Sequence, residues 1–262
     1  MSDDGSAARD PVDDLPRLIT LPISPFNELA RWSLERRCIP YREEPKALVW
    51  HTVASRLAGG KGTTPVLVTP SEVVPESPQI AEWADRRDAP GPRLFPDGPE
   101  GDEVRKLVHS LVDELGPQTR RIAWGHLIDD LPLADRSWGQ GLQGWQRDWQ
   151  LRLLTMGKPV IRRRLGLAEL DEAGARVRAI FDDVADTLGD GRRYLCGESI
   201  TAADLAFASM AMPAILPDEG FPVPLPRPDE MGKMARTIHE LRERPAGQFA
   251  LRLYRDERAP RG

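Results

Sequence analysis

Cysteine is nearly absent from this chain. Its 262 residues hold two, Cys38 and Cys196, far apart and outside any C-x-x-C spacing. A disulfide framework is therefore not expected, and a reducing compartment is. Histidine is scarce too: His51, His109, His126 and His239 form no metal-ligand pair, so no metal site is expected. Only five lysines occur, the remaining basic residues being arginine, and the net charge is −5. That balance argues against a general nucleic-acid binder, which would show a basic face. Arg162-Arg163-Arg164, the one tight basic run, suits the last turn of a helix. Long apolar runs are missing: the longest, Leu205 to Leu216, is too short to span a bilayer and is cut by Pro213. The opening MSDDGSAARDPVDD is acidic, with no apolar segment that would make a signal peptide. A disordered tail over 1–14 and a cytoplasmic protein are the expectation, with no membrane or nucleic-acid partner.

What is present is enough apolar residue for a core, 40% hydrophobic against 29% charged. The first third alternates strand and helix signals. "RLITLPI" reads as a strand, and Pro25 opens the helical stripe of "PFNELARWSLERR". "IPYREEP" reads as a second strand and "WHTVASRLAGG" as a second helix. Pro65–Thr69 and Glu72–Pro75 flank a turn, and "ESPQIAEWADRR" is a third helix. The order is βαβαββα over 15–90. A Pro/Gly-rich linker follows at 91–101, and 102–262 reads as all-helical. Its stripes are Val104 to Leu115, Leu142 to Leu153, Leu170 to Leu188, Ala202 to Leu216, and "PDEMGKMARTIHELRER".

Two catalytic-looking strings fail. "AGGKGTT" has Gly62 where a phosphate-binding loop needs Ser or Thr, and "CGESIT" lacks the last glycine of a nucleophile elbow.

Three motifs remain. The first is a proline, Pro65, at the mouth of a strand, with Glu76-Ser77-Pro78 at the start of the next helix. Proline gives the ladder no N–H, so it belongs at strand starts and edges. A helix start welcomes a carboxylate, although Ser77 with a solvated Glu76 also reads as a plain cap. The second is "SPFN", Ser24 to Asn27, where Ser24 reads equally as a cap. The third is "YLCGESITAADLAFA", in which Thr201-x-x-Asp204 is a capping box and Cys196 is expected to be a small buried residue.

Together these resemble the cytosolic glutathione S-transferase family from about Arg17 onward. The resemblance implies a thioredoxin-like α/β domain (βαβαββα) followed by an all-α domain, paired as a homodimer. It implies a cis Thr64–Pro65 bond, with the Thr64 backbone holding the cysteinyl part of glutathione. Glu76 and Ser77 match the acid-hydroxyl pair that grips its γ-glutamyl end. Ser24 aligns with the serine of tau-class "SPF" enzymes that holds the sulfur and favours its thiolate, which is then added to a small hydrophobic electrophile. An isomerase, lyase or dehalogenase using the same thiol, or a non-catalytic binding module, are the alternatives. A second-substrate pocket between the domains would draw on Phe26, Asn27, Arg121 and Trp124, while Trp145 and Trp149 read as core or domain-interface packing ahead of an aromatic wall of that pocket. Thr64 departs from the usual Val, and the partner of the glycyl carboxylate stays open among Lys46, Trp50, His51 and Lys61. The loose stretch Gly125–Gly144 and the proline-rich "LPDEGFPVPLPRPDE" either shape the pocket or connect helices.

Overall fold

The computed structural model describes residues 15–48, 50–138 and 144–258. The acidic tail and Leu142 lie outside these residues, as does the side chain of Trp138. The N-terminal unit has the expected order: β1 (Arg17–Thr20), α1 (Pro25–Arg36), β2 (Arg42–Pro45), α2 (Trp50–Leu57), β3 (Val66–Val68), β4 (Val73–Pro75) and α3 (Ser77–Asp85). The strands line up as β2-β1-β3-β4. β1 runs parallel to β2 and antiparallel to β3, and β3 pairs antiparallel with β4. Leu18 and Leu67 from the sheet meet Leu34, Ile80 and Trp83 from α1 and α3 in a small core of their own. Pro25 sits in the first turn of α1, where its missing N–H lacks no helical partner.

The start of the 91–101 segment is tied to the N-terminal unit. The buried Asp85 carboxylate accepts the N–H groups of Leu94 (2.6 Å) and Phe95 (3.4 Å). Arg37, also buried, donates to the carbonyls of Ala84, Arg87 and Gly91. The helical part already begins at Pro99, three residues ahead of the expected boundary.

α4 (Pro99–Ser110) runs through a wide π-type turn (Leu111–Leu115) into α5 (Gly116–Leu127). Then come α6 (Leu131–Trp138), α7 (Gly144–Arg164), α8 (Leu170–Leu188) and α9 (Ala202–Ile215). A 3₁₀ turn (Pro228–Met234) leads to α10 (Ala235–Glu243) and α11 (Pro245–Asp256). No strand follows β4 among the described residues. Every residue of α9 is buried, as befits a helix that is apolar all round and is packed by α1, α4, α5, α10 and α11.

Two packing expectations fail. Trp145 and Trp149 are each 54% exposed on α7, outside the core. Cys196 is exposed rather than buried. Arg162, Arg163 and Arg164 do close the last turn of α7. No helix among the described residues is long and apolar enough to cross a membrane.

Candidate active site

β3 enters the sheet only at Val66, so the Thr64 N–H and C=O lie outside the ladder with β1. The Thr64–Pro65 peptide bond is cis. The Pro65 carbonyl accepts the Glu76 N–H at 3.1 Å, which ties this corner to the start of α3. Glu76 itself holds a left-handed φ of 65°. Such a conformation costs a non-glycine residue on the order of 1–3 kcal/mol and tends to persist at ligand sites. Neither Glu76 nor Ser77 behaves as a plain cap: α3 has no side-chain capping bond. The Ser77 hydroxyl is buried and has no hydrogen-bond partner. The Glu76 carboxylate, half-exposed, holds the Lys61 ammonium at 3.1 Å.

These residues converge on a cavity of about 300 Å³ whose walls include Thr64, Pro65, Glu76, Ser77 and Phe26. That volume is at the lower end of ordinary small-molecule sites. The facing wall is one side of the long α4–α5 helix: His109, Val112, Asp113, Pro117 and Arg120. The spacing of these positions by three to four residues marks one helical face. A second cavity, narrower at about 50 Å³, lies beyond Arg120. Its lining includes Trp124, Met212, Pro213, Leu225 and Pro226, with Arg120 the single charged member. The proline-rich stretch after α9 therefore does shape a pocket, through Leu225 and Pro226.

The expected second-substrate residues divide. Phe26 lines the larger cavity and Trp124 the narrower one. Asn27 is fully buried and lines neither; its side-chain amide donates to the Leu21 carbonyl (2.8 Å) and the Thr64 hydroxyl (3.3 Å). It thus positions the residue before the cis-proline. Arg121 turns away, donating to the Leu165 carbonyl at 3.0 Å and approaching Glu169 at 3.6 Å. Its neighbour Arg120 takes the cleft position. Both positions neighbour Trp124 on a helix, 120 at i,i+4 and 121 at i,i+3, so spacing alone does not choose between them.

Ser24 is buried at the entrance to α1, makes no capping hydrogen bond, and is not among the residues lining either cavity. Nor is any of Lys46, Trp50, His51 or Lys61 among the residues lining the larger one. Lys46 pairs instead with Glu44 (3.2 Å), and burial pushes the His51 pKa below its ordinary value. Among the described residues no cluster of His, Cys, Asp and Glu could hold a metal ion.

Residues 18–93 match the family model for the glutathione S-transferase N-terminal domain, and residues 168–244 match its C-terminal domain. The chain belongs to the glutathione S-transferase family. Solved structures agree on the fold. Beta-etherase LigF from Sphingobium sp. strain SYK-6 superposes with a TM-score of 0.56 at 16% identity, covering 90% of this chain and 98% of that one. The theta class glutathione S-transferase of Xanthomonas axonopodis pv. citri, with glutathione bound, gives 0.56 at 17%, covering 91% and 97%. FzlA from C. crescentus gives 0.50 at 19%, covering 95% and 96%. A sequence search of curated proteins finds no match. As a family member, the chain keeps the two-domain architecture with its cleft between the cis-proline corner and the α4–α5 helix.

Proposed function

We propose that the larger cavity binds glutathione and presents its thiolate to a small electrophile entering from the narrower, apolar cavity. The observation that carries this is the buried, unpaired Ser77 hydroxyl beside the cis-proline corner. A buried hydroxyl without a partner costs on the order of 1–3 kcal/mol, and a ligand oxygen removes that cost. In this reading Ser77 and the start of α3 receive the γ-glutamyl carboxylate. Glu76 receives its ammonium in exchange for the Lys61 ion pair, an exposed contact worth at most about 1 kcal/mol. Thr64 pairs its free backbone groups with the cysteinyl residue as an added strand would, beside Pro65. The family neighbours with bound glutathione support the choice of thiol. A homodimer in the cytoplasm belongs to the same reading. A glutathione-dependent lyase, isomerase or dehalogenase would use the same thiolate, and one structural neighbour is a beta-etherase.

Ser24 is the proposed donor to the sulfur. A hydrogen bond to a charged group is worth roughly 1.5–3 kcal/mol, enough to lower a thiol pKa by about one to two units from about 8.5. Thiolate absorbance of bound glutathione, followed against pH, tests this. Wild type should titrate below the free thiol, and Ser24→Ala should return most of that shift. Coincident curves would remove Ser24 from the mechanism. A second reading, a binding module without catalysis, is favoured by the absence of Ser24 from the cavity linings. It predicts bound glutathione whose thiol titrates like the free molecule.

A further inference from the structure

Arg120 is the unexplained charge of the cleft. It lines both cavities and so stands at their junction. Its guanidinium carbon lies 5.4 Å from the centroid of the Phe26 ring. Its Nε is buried and has no hydrogen-bond partner. No salt bridge joins it to a carboxylate among the described residues, whereas its neighbour Arg121 approaches Glu169. Burial, with a smaller push from Arg121, holds its pKa below the ordinary arginine value. The carboxylates bordering the larger cavity are Glu76 and Asp113; the first is held by Lys61, and neither forms a salt bridge with Arg120.

A partly buried cation whose Nε–H has no acceptor and which has no ion-pair partner among the described residues carries a desolvation cost, and an arginine does not escape it by losing its proton. The cation–π contact with Phe26 offsets part of that cost. It supplies no acceptor for the N–H groups. The narrow cavity beyond is otherwise apolar. An apolar pocket with one cation at its mouth selects a molecule of matching build.

We propose that the second substrate is an apolar molecule carrying one anionic oxygen group, such as a carboxylate, and that Arg120 receives that group at the junction of the two cavities. The apolar body then lies toward Trp124 and Met212, while the anion stays at the edge nearest the thiol. This rests on the larger cavity being the glutathione site, but its test does not need glutathione.

Isothermal titration with cinnamate and with its neutral isostere cinnamamide, in the absence of glutathione, reads the charge preference directly. Wild type should bind cinnamate about tenfold or more tightly than cinnamamide, the size of one charge-assisted contact. Arg120→Met should bring the two affinities within about twofold, and Arg120→Lys should restore part of the preference. Arg121→Met, altered on the helix face turned toward Leu165, should keep it in full. Circular dichroism melting confirms that each variant is folded. Equal affinity of wild type for both probes, binding of neither at millimolar concentration, or a preference that survives Arg120→Met would each overturn the proposal. A surviving preference together with a raised pKa of bound glutathione in Arg120→Met would assign the arginine to the thiolate instead. Failure of glutathione itself to bind, in a separate titration, would count against the reading of the larger cavity and leave the cinnamate result standing.

Discussion

The start of α3 carries two local costs side by side: a left-handed backbone at Glu76 and a buried hydroxyl without a partner at Ser77. Each is unfavourable for the free protein, and both face the same cavity. Glycine tolerates the Glu76 conformation without the steric penalty of a Cβ. Glu76→Gly and Glu76→Ala both remove the carboxylate and should both weaken glutathione binding. They should differ in stability, the glycine variant being the more stable by about 1 kcal/mol. Thermal unfolding of the pair checks this, and an alanine variant melting higher would mean that position 76 stores no strain.

Helix α9 shows what a local signal can announce. Thr201-x-x-Asp204 reads as a helix start from four residues, and the structure builds it. The buried Asp204 carboxylate accepts the Thr201 N–H at 2.7 Å, the Thr201 hydroxyl at 3.0 Å and the Leu195 N–H at 2.8 Å. Asp204→Ala leaves three buried donors without an acceptor and should cost roughly 2–3 kcal/mol, more than a simple cap. An unchanged melting temperature would contradict that role. The βαβαββα order is legible for the same reason, since prolines, alternation and helix starts act over a few residues, whereas the cis Thr64–Pro65 bond follows only from the family resemblance. The face of the α4–α5 helix is not. The π-type turn at Leu111–Leu115 admits an extra residue, and an added residue rotates the remainder of the helix by about 100°. Arg121 is expected in the cleft from the family resemblance, and its neighbour Arg120 lines it. That the 91–101 segment is pinned is not legible, because Arg37 and Asp85, which hold it, lie outside it in sequence. Trp145 and Trp149 share a helical face as their spacing says, but periodicity cannot tell whether that face is covered.

At the scale of the whole molecule, the two domains are joined by a buried charge network as well as by apolar packing. Trp32 of α1 meets Tyr254 of α11 with ring centroids 5.1 Å apart. Beside them Arg258, just past α11, donates to Glu28 at 2.7 Å and also pairs with Glu35. Arg31 lies 3.6 Å from Glu28 and reaches Glu43 at 2.7 Å. Burial pushes the Glu28 pKa up even though Arg258 and Arg31 pull it down, so desolvation outweighs attraction there. Removing one member strands the other: Glu28→Met or Arg258→Met alone should cost about 3–5 kcal/mol. The double variant should lose less than the sum of the two, and a double-mutant cycle on chemical unfolding measures the difference. Additive losses would show that the two side chains stabilise the domain contact independently.

The central claim is that the cavity at the Thr64–Pro65 corner is a glutathione site completed by Ser77. Isothermal titration of glutathione into wild type and Ser77→Ala tests it most directly. Wild type should bind with one site per chain. Ser77→Ala should bind about tenfold more weakly, the loss of roughly one hydrogen bond to a charged group, with no fall in melting temperature because its hydroxyl has no partner in the free protein. No binding by wild type at millimolar concentration, or equal affinity in the two proteins, would contradict it.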